Sequence, residues 1–194
     1  LISRLQNTGH KVTYTREPGG TRTGEAIREI LQHDKTGEAL NPRAEVYLFA
    51  ASRSQLCDQV ILPAIERGEV VISDRFIDST SAYQGYGRGF PLETIYSINN
   101  FAIGKAVPDL TCLLYVPVEK SFERLAARQQ QDFQGLDRIE REAKAFHERV
   151  GAGYLELAQK YPERIKLIDA TQNLDQVEEA VWQEVKKSLF AKYS

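Results

Sequence analysis

Four short runs of apolar residues recur along the chain, separated by long segments with helical spacing. The runs cover residues 12–15, 70–73, 110–116 and 165–169. Such short runs between helical segments are typical of buried strands joined by helical crossovers, the pattern of a parallel sheet. The sequence therefore predicts an α/β fold with four visible parallel strands. It contains no internal repeats or linkers, so we expect one domain over residues 1–194.

The segments between the apolar runs place their own apolar residues on one helical face. Helices are predicted over residues 43–67, 92–106, 118–128 and 173–193. In the first of these, Asn41 is a suitable N-cap, and Pro63 predicts a kink because proline has no N–H to donate. The last helix is amphipathic and closes the chain.

Composition excludes several classes of protein. With 42% apolar and 27% charged residues, the chain is typical of a globular protein. The net charge of −2, with both signs interspersed, argues against a nucleic-acid partner and fits a small anionic ligand. The longest apolar run is too short to span a membrane and no signal peptide is recognisable, so a cytoplasmic protein is expected. Cys57 and Cys112 lack metal-site or disulfide spacing and are expected to be buried thiols.

The strongest functional signal follows the second apolar run. Residues 74–88 read DRFIDSTSAYQGYGR, so Asp74 and Arg75 come directly after a predicted strand. In an open parallel sheet, the ligand crevice lies beyond the carboxyl ends of the strands. The guanidinium of Arg75 can hold a phosphate by two parallel hydrogen bonds, and Asp74 can orient it or engage magnesium through water. The alternative is a structural Asp–Arg pair that caps the strand.

A second motif follows the first apolar run, where TREPGGT at residues 15–21 breaks the strand with one proline and two glycines. With LFAASRSQ at 48–55 and DRFIDSTSAYQGYGRG at 74–89, it resembles the thymidylate kinase family in order and spacing over nearly the whole chain. The resemblance implies a P-loop kinase-like, three-layer α/β/α fold. It also implies phosphorylation of dTMP to dTDP with ATP and Mg²⁺, in dTTP biosynthesis, by a homodimer.

The resemblance also implies how the base and sugar of dTMP are bound. Phe49 would stack on thymine, and Arg53, one helical turn later, would bond the carbonyl edge of the base. Thr80 and Gln84 would reach its remaining polar edge. Tyr83 would close the space beside C2′ of the sugar and so favour deoxyribose. For Phe49, the alternative is ordinary packing in the core.

Around the acceptor phosphate, the resemblance implies two arginines and two acids. Arg75 and Arg28 would bind the phosphate, and Glu17 would lie near the phosphate and the metal. Phosphoryl transfer needs such groups because catalysis is mainly positioning and charge neutralisation. The full set of implied catalytic residues is Glu17, Asp74, Arg75, Arg128 and Arg138.

A polar stretch at residues 129–138 is the candidate lid, since it has one glycine and arginines on both sides. The alternative is a surface helical hairpin whose arginines pair with neighbouring acids. The residues implied to bind ATP are Arg124, Arg128, Arg138, Ala170, Thr171 and Gln172. Which lid arginine reaches the γ-phosphate is left open.

One family element is absent from the sequence, the phosphate-binding pattern G-x-x-x-x-G-K-[ST]. The nearest string, at residues 104–106, lacks both the first glycine and the closing hydroxyl. Because the chain contains no methionine, we expect roughly twenty residues, with a central strand and this loop, to precede Leu1. Two other functions remain open at this point: a non-catalytic nucleotide-binding pseudokinase, and a kinase for another pyrimidine nucleotide.

Overall fold

Each predicted apolar run forms a strand in the computed structural model. The structure describes residues 1–33, 37–131 and 137–193, with side chains except those of 128–131 and 190–193. The strands are Val12–Arg16 (β1), Val70–Asp74 (β2), Thr111–Tyr115 (β3) and Ile165–Asp169 (β4). The predicted α/β class is confirmed.

The strands pair in two parallel ladders. In the first, β1 pairs with β2, and Arg16 lies opposite Asp74 at the carboxyl ends. In the second, β3 pairs with β4, and Tyr115 lies opposite Asp169. Within the described residues, these ladders are separate two-stranded sheets. Since the carboxyl ends of each pair lie side by side, the residues that follow the two strands can contribute to one site.

Helices and two π-helical segments connect the strands. The described helices are Ile2–Asn7 (α1), Arg22–Gln32 (α2), Pro42–Leu56 (α3), Leu62–Glu66 (α4), Ile77–Thr80 (α5), Leu92–Ile103 (α6), Val118–Gln131 (α7), Lys144–Lys160 (α8) and Leu174–Tyr193 (α9). The π-helical segments are Cys57–Ile61 and Ser81–Gly87.

The predicted helix over residues 43–67 contains a π-helical turn. A π-helical turn separates α3 from α4, directly before Pro63, which cannot donate a hydrogen bond to the preceding turn. The N-cap of α3 is as predicted, because the side chain of Asn41 accepts a 2.9 Å hydrogen bond from the backbone N–H of Arg43. The prediction for the next helix was too long. α6 ends at Ile103 because Gly104 has a positive φ of 54°.

One hydrophobic cluster of the core lies where α8 packs on β3, β4 and the second π-helical segment. Its buried members are Ala82, Leu113, Phe146, Val150, Leu157 and Ile165. α8 and the second π-helical segment are in close contact, since a Cβ at Gly153 would lie 2.5 Å from the Tyr86 ring. Glycine is needed there because any side chain would push α8 away from the segment that follows β2.

Both cysteines are free thiols, as expected. Burial raises the pKa of Cys57 to about 12 and that of the half-buried Cys112 to about 11. Neither is ionised at neutral pH. Within the described ranges, no helix combines the length and the apolar character needed to cross a bilayer.

A buried ion pair anchors the segment after β2 to the second ladder. Asp78 on α5 accepts two 2.7 Å hydrogen bonds from Arg164, one on each carboxylate oxygen. Thr111 at the start of β3 donates a third, at 2.8 Å. No short sequence pattern predicts this pair, because 86 residues separate its members. It fixes the position of Thr80 and Tyr83, which follow Asp78 in the same helical stretch.

We expect Arg164→Met to lower the free energy of unfolding by about 3 kcal/mol, because the buried carboxylate of Asp78 would lose its charge partner. Urea denaturation followed by circular dichroism measures the change. Lys144→Met is the matched control, since it breaks an exposed ion pair with Glu119 and such pairs contribute little. Equal stability of the two variants would contradict the anchoring role.

Candidate functional site

The turn after β1 and the residues after β2 meet at the carboxyl edge of the first ladder. The backbone N–H of Glu17 donates to the carbonyl oxygen of Asp74 at 2.9 Å. A cleft opens beside this contact. It is lined by Glu17, Phe49, Arg53, Arg75, Ser79, Thr80, Tyr83 and Gln84. The fold thus brings together every residue implied to bind the acceptor except Arg28, and it adds Ser79.

Arg53 and Glu17 form a buried ion pair in the wall of the cleft. Their side chains are 1% and 3% exposed. Arg53 donates to the Glu17 carboxylate from Nε at 2.9 Å and from Nη2 at 2.6 Å. Burial raises the pKa of Glu17, and the charge and hydrogen bonds of Arg53 oppose that shift. The carboxylate expected to lie near phosphate and metal is therefore held by an arginine.

Two further contacts fix the guanidinium of Arg53. Nη1 donates to Oδ1 of Asn99 at 2.7 Å, and Nη2 donates to Oγ1 of Thr80 at 2.9 Å. An arginine has five N–H groups, so these contacts leave one, on Nη1, for a ligand. Sequence reasoning missed Asn99, which lies on α6 and 46 residues away. No local pattern could have revealed it.

Arg75 presents its positive charge to the cleft. Its guanidinium carbon lies 4.5 Å from the centre of the Tyr83 ring, within cation–π distance. Within the described part of the chain, neither Arg75 nor Asp74 forms an ion pair, which favours a ligand-binding role over a structural Asp–Arg pair. Arg75 is also the one described non-glycine residue with a positive φ, 69°. This conformation costs energy, and such residues cluster at functional sites.

Tyr83 is held from two sides by aromatic rings. Phe146 and Tyr154 on α8 meet it edge to face, with ring centres 6.1 and 6.2 Å away. The hydroxyl of Tyr154 is hydrogen-bonded to that of Ser79 at 2.9 Å. Tyr83 is thus a supported wall of the cleft, and α8 provides the support. Sequence reasoning missed Tyr154, which looks like any other aromatic residue of an amphipathic helix.

Phe49 and Arg28 lie on the helices that flank the TREPGGT turn. Phe49 is half-buried on α3, where it lines the cleft one turn before Arg53. Arg28, on α2, donates from Nη1 to the carbonyl oxygen of Pro18 at 2.9 Å. α2 begins at the cap made by Thr21, whose hydroxyl accepts from the N–H of Gly24 at 2.9 Å. The turn and its following helix thus hold Arg28 beside the cleft.

A second buried carboxylate, Glu45 on α3, lies behind Gln84. It is 1% exposed and accepts hydrogen bonds from Gln84 at 2.8 Å, from Arg88 at 3.1 Å and from Arg138. Burial acts to raise the pKa of Glu45, but these three partners outweigh it, and the pKa falls below its ordinary value. Arg138 also donates to the carbonyl oxygen of Leu31 at 3.0 Å. Its side-chain partners thus lie on α2 and α3, whereas the sequence grouped it with the turn after β4.

The carboxylate of Glu45 makes stability depend on pH. A carboxyl group whose pKa is lower in the folded state stabilises the fold above its ordinary pKa of about 4.5, and that stability is lost as pH falls through the folded value. We expect Glu45→Gln to flatten the decline in unfolding free energy between about pH 5 and about pH 3. Urea titrations across that range measure the slope. The same slope for both proteins would show that another group controls the decline.

The turn after β4 brings together most of the residues implied to bind ATP. Arg124 on α7 donates to the carbonyl oxygen of Ala170 at 3.0 Å. The backbone N–H and hydroxyl of Thr171 donate to Asp169 at 2.9 and 2.7 Å, and the amide of Gln172 does so at 3.2 Å. These contacts lower the pKa of Asp169. The turn is therefore preformed, with Arg124 at its border.

The predicted lid lies only partly within the described residues. Residues 129–131 belong to the end of α7, which runs beyond the predicted end at 128, and residues 132–136 are outside the described ranges. The side chain of Arg128 is outside them too. Among the side chains that the structure describes, no group of three or more His, Cys, Asp or Glu is placed to hold a metal ion.

Comparison with known proteins places this site in context. A family model described as Thymidylate kinase matches residues 1–181. The thymidylate kinase of Exiguobacterium sp. is 46% identical over 181 residues, which cover 93% of this chain and 82% of the relative. That of Pelotomaculum thermopropionicum is 50% identical over 88% of this chain and 77% of the relative. That of Syntrophotalea carbinolica is 43% identical over 94% and 84%, respectively.

Proposed function

The chain belongs to the thymidylate kinase family, and we propose that it transfers the γ-phosphoryl group of ATP to dTMP, yielding dTDP and ADP. The observation that carries the proposal is the cleft beyond β1 and β2. It combines an arginine that forms no ion pair with any described residue, an aromatic side chain and convergent polar groups. A phosphorylated pyrimidine nucleotide needs this combination of groups.

The acceptor phosphate binds at Arg75. Its guanidinium offers two parallel N–H donors to phosphate oxygens, and the Tyr83 ring keeps it in place. Arg28, which is bonded to the carbonyl oxygen of Pro18 in the TREPGGT turn, adds a second positive charge. Phosphoryl transfer depends mainly on positioning and charge neutralisation, so these two arginines hold the attacking oxygen where the donor phosphate can reach it.

The base lies between Phe49 and the polar wall of the cleft. Phe49 stacks on the thymine ring. The remaining N–H of Arg53 donates to a carbonyl oxygen of the base, while Thr80 and Gln84 face its other polar atoms. Tyr83 closes the space beside C2′, so the extra hydroxyl of a ribonucleotide would meet the ring or lie without a partner.

ATP binds on the other side, against the turn after β4. The backbone of Ala170, Thr171 and Gln172 borders the adenine, and Arg124 lies at the edge of that turn. Arg128 and Arg138 are the lid arginines that stabilise the transferred phosphoryl group. Arg138 has to exchange its contact with Glu45 for one with the phosphates to do so.

Among the described residues at the cleft, Asp74 is the carboxylate that would hold Mg²⁺. Asp74 is exposed at the end of β2 and has no ion pair among the described residues, so it is accessible through water. This fits the usual coordination of Mg²⁺ by one or two carboxylates together with phosphates and water. When bound, the ion neutralises phosphate charge. Glu17 fits less well, because Arg53 occupies both of its carboxylate oxygens.

The proposal extends to assembly and location. The protein acts in the cytoplasm, in dTTP biosynthesis, on small nucleotides rather than on nucleic acid or membranes, which its net charge of −2 supports. It forms a homodimer through α3 and α6. The exposed aromatic residues Tyr47 and Phe101, which are 64% and 92% exposed on these helices, support that assembly.

Calorimetric titration with dTMP, dUMP, dCMP and thymidine tests the acceptor. We expect dTMP to bind most tightly, because thymidine lacks the group that Arg75 holds and dCMP presents a different base edge. A preference for thymidine or equal binding of all four would contradict the proposal. Formation of dTDP from dTMP, ATP and Mg²⁺ tests the transfer step. Selective dTMP binding without dTDP would reduce the proposal to a nucleotide-binding function.

A further inference from the structure

Glu45 and Gln84 are in contact at the back of the cleft, and both side chains are 1% exposed. Nε2 of Gln84 donates to Oε1 of Glu45 at 2.8 Å. Gln84 lines the cleft, whereas Glu45 does not. Glu45 can therefore act on a ligand only through the groups that it holds.

The chemistry of this contact determines which way the amide of Gln84 points. An amide has a donating nitrogen and an accepting oxygen, and the two ends are nearly the same size. An ionised carboxylate only accepts, so the nitrogen must face Glu45. Arg88 and Arg138 also donate to Glu45 and keep its pKa low, so the carboxylate is ionised at neutral pH. The carbonyl oxygen of Gln84 is then the end left for the cleft.

Arg53 and Gln84 consequently give the cleft a fixed donor and a fixed acceptor. The donor is the remaining Nη1 N–H of Arg53, since a guanidinium has no acceptor. The acceptor is Oε1 of Gln84. Thymine and uracil carry an N3–H donor next to a carbonyl oxygen, which is the complementary pattern. Cytosine carries an N3 acceptor next to an amino group. Its N3 would therefore face the carbonyl oxygen of Gln84, which is another acceptor, and its amino group would face the N–H of Arg53, which is another donor.

We propose that Glu45 is a positioning residue that fixes the amide of Gln84 with its oxygen toward the cleft and so selects a pyrimidine protonated at N3 over cytosine. This inference rests on the proposed function, because it assumes that a pyrimidine nucleotide occupies the cleft. Glu45 does not touch the base. It contributes to selectivity through Gln84 alone.

The test measures the ratio of dTMP to dCMP affinity by calorimetry in the 194-residue chain and its variants. In Glu45→Gln the introduced amide can donate or accept, so Gln84 can take either orientation. We expect the preference for dTMP to fall about tenfold, the effect of one mispaired buried hydrogen bond. A purely structural role would weaken both nucleotides equally and leave the ratio unchanged.

Arg88→Met is the matched control. It removes a partner of Glu45 and also breaks the ion pair of Arg88 with Glu142. However, it leaves the contact between Gln84 and Glu45 in place, and Arg138 still keeps the carboxylate ionised. We expect a stability loss with the ratio unchanged. If Arg88→Met lowers the ratio of dTMP to dCMP affinity as much as Glu45→Gln does, the loss of selectivity comes from a less rigid cleft wall, and the inference is overturned.

The exchange variant Glu45→Gln/Gln84→Glu keeps the test decisive if Glu45→Gln does not fold. It reverses the direction of the hydrogen bond and places a carboxylate, which accepts from either oxygen, at the cleft. We expect the preference for dTMP to return to that of the unmodified chain. A Glu45→Gln protein that is folded and fully selective, or an exchange variant that stays unselective, would overturn the inference. Failure of the unmodified chain to prefer dTMP would instead refute the proposed function itself.

Discussion

Arg53→Met is expected to reduce dTMP affinity at least about 100-fold and to destabilise the protein by about 3 to 5 kcal/mol. Arg53 is the buried centre of a network that satisfies Glu17, Asn99 and Thr80. Its removal leaves the Glu17 carboxylate buried without a charge partner, which is the costly way to break such a pair. Calorimetry with dTMP and urea denaturation measure the two effects.

The two effects of Arg53→Met separate in a double variant. Glu17→Gln/Arg53→Met removes both charges, so we expect most of the lost stability to return, because no unpaired charge stays buried. The affinity for dTMP should not return, since the donor to the base carbonyl is still absent. Recovery of both properties would mean that Arg53 only supports the fold. Undiminished dTMP binding by the single variant would refute its role in recognition altogether.

Arg75→Met is expected to weaken dTMP binding about 100-fold while leaving thymidine binding unchanged. The guanidinium contributes charge-assisted hydrogen bonds to the phosphate of dTMP. Thymidine has no phosphate, so it makes these hydrogen bonds in neither protein. Methionine at this position bears the same positive φ of 69° as arginine, so the backbone strain is equal in both proteins. Titration of each protein with both ligands gives the result directly.

Arg67→Met is the control for the loss of positive charge. Arg67 is exposed and precedes β2 at its other end, where it pairs with Glu69. We expect Arg67→Met to change the affinities for dTMP and thymidine only slightly, because the lost charge is distant and screened. A parallel loss of thymidine and dTMP affinity in Arg75→Met would show that Arg75 shapes the cleft by packing on Tyr83 rather than by binding phosphate.

Local patterns in the sequence were sufficient for the strands and for the residues at their ends. The four apolar runs became β1 to β4 because short apolar runs are stable only when buried and extended. Asp74 and Arg75 follow β2 directly, so their place at the crevice follows from strand direction alone. Phe49 and Arg53 share a helical face because they are four residues apart.

Other features of the site depend on residues that are distant in the sequence. Arg53 was predicted to bind a base, but its partners Glu17 and Asn99 lie 36 and 46 residues away, and no short pattern encodes them. Glu45 looks like an ordinary charge on a helix, and only the fold buries it against Gln84 and Arg138. The contacts of Arg138 with Leu31 and Glu45 were not predicted, for the same reason. The sequence around Arg138 suggests a lid, whereas the groups that accept hydrogen bonds from its side chain are on α2 and α3.

Local sequence patterns predicted the fold class, the family and the set of side chains available to a nucleotide. These follow from periodicity and from residues adjacent in the chain, which constrain the backbone locally. Which of these side chains have partners, and which are left for a ligand, depends on the packing of the whole fold. Burial removes water, so each polar group must find a partner within the fold, and those partners come from elements far apart in the sequence.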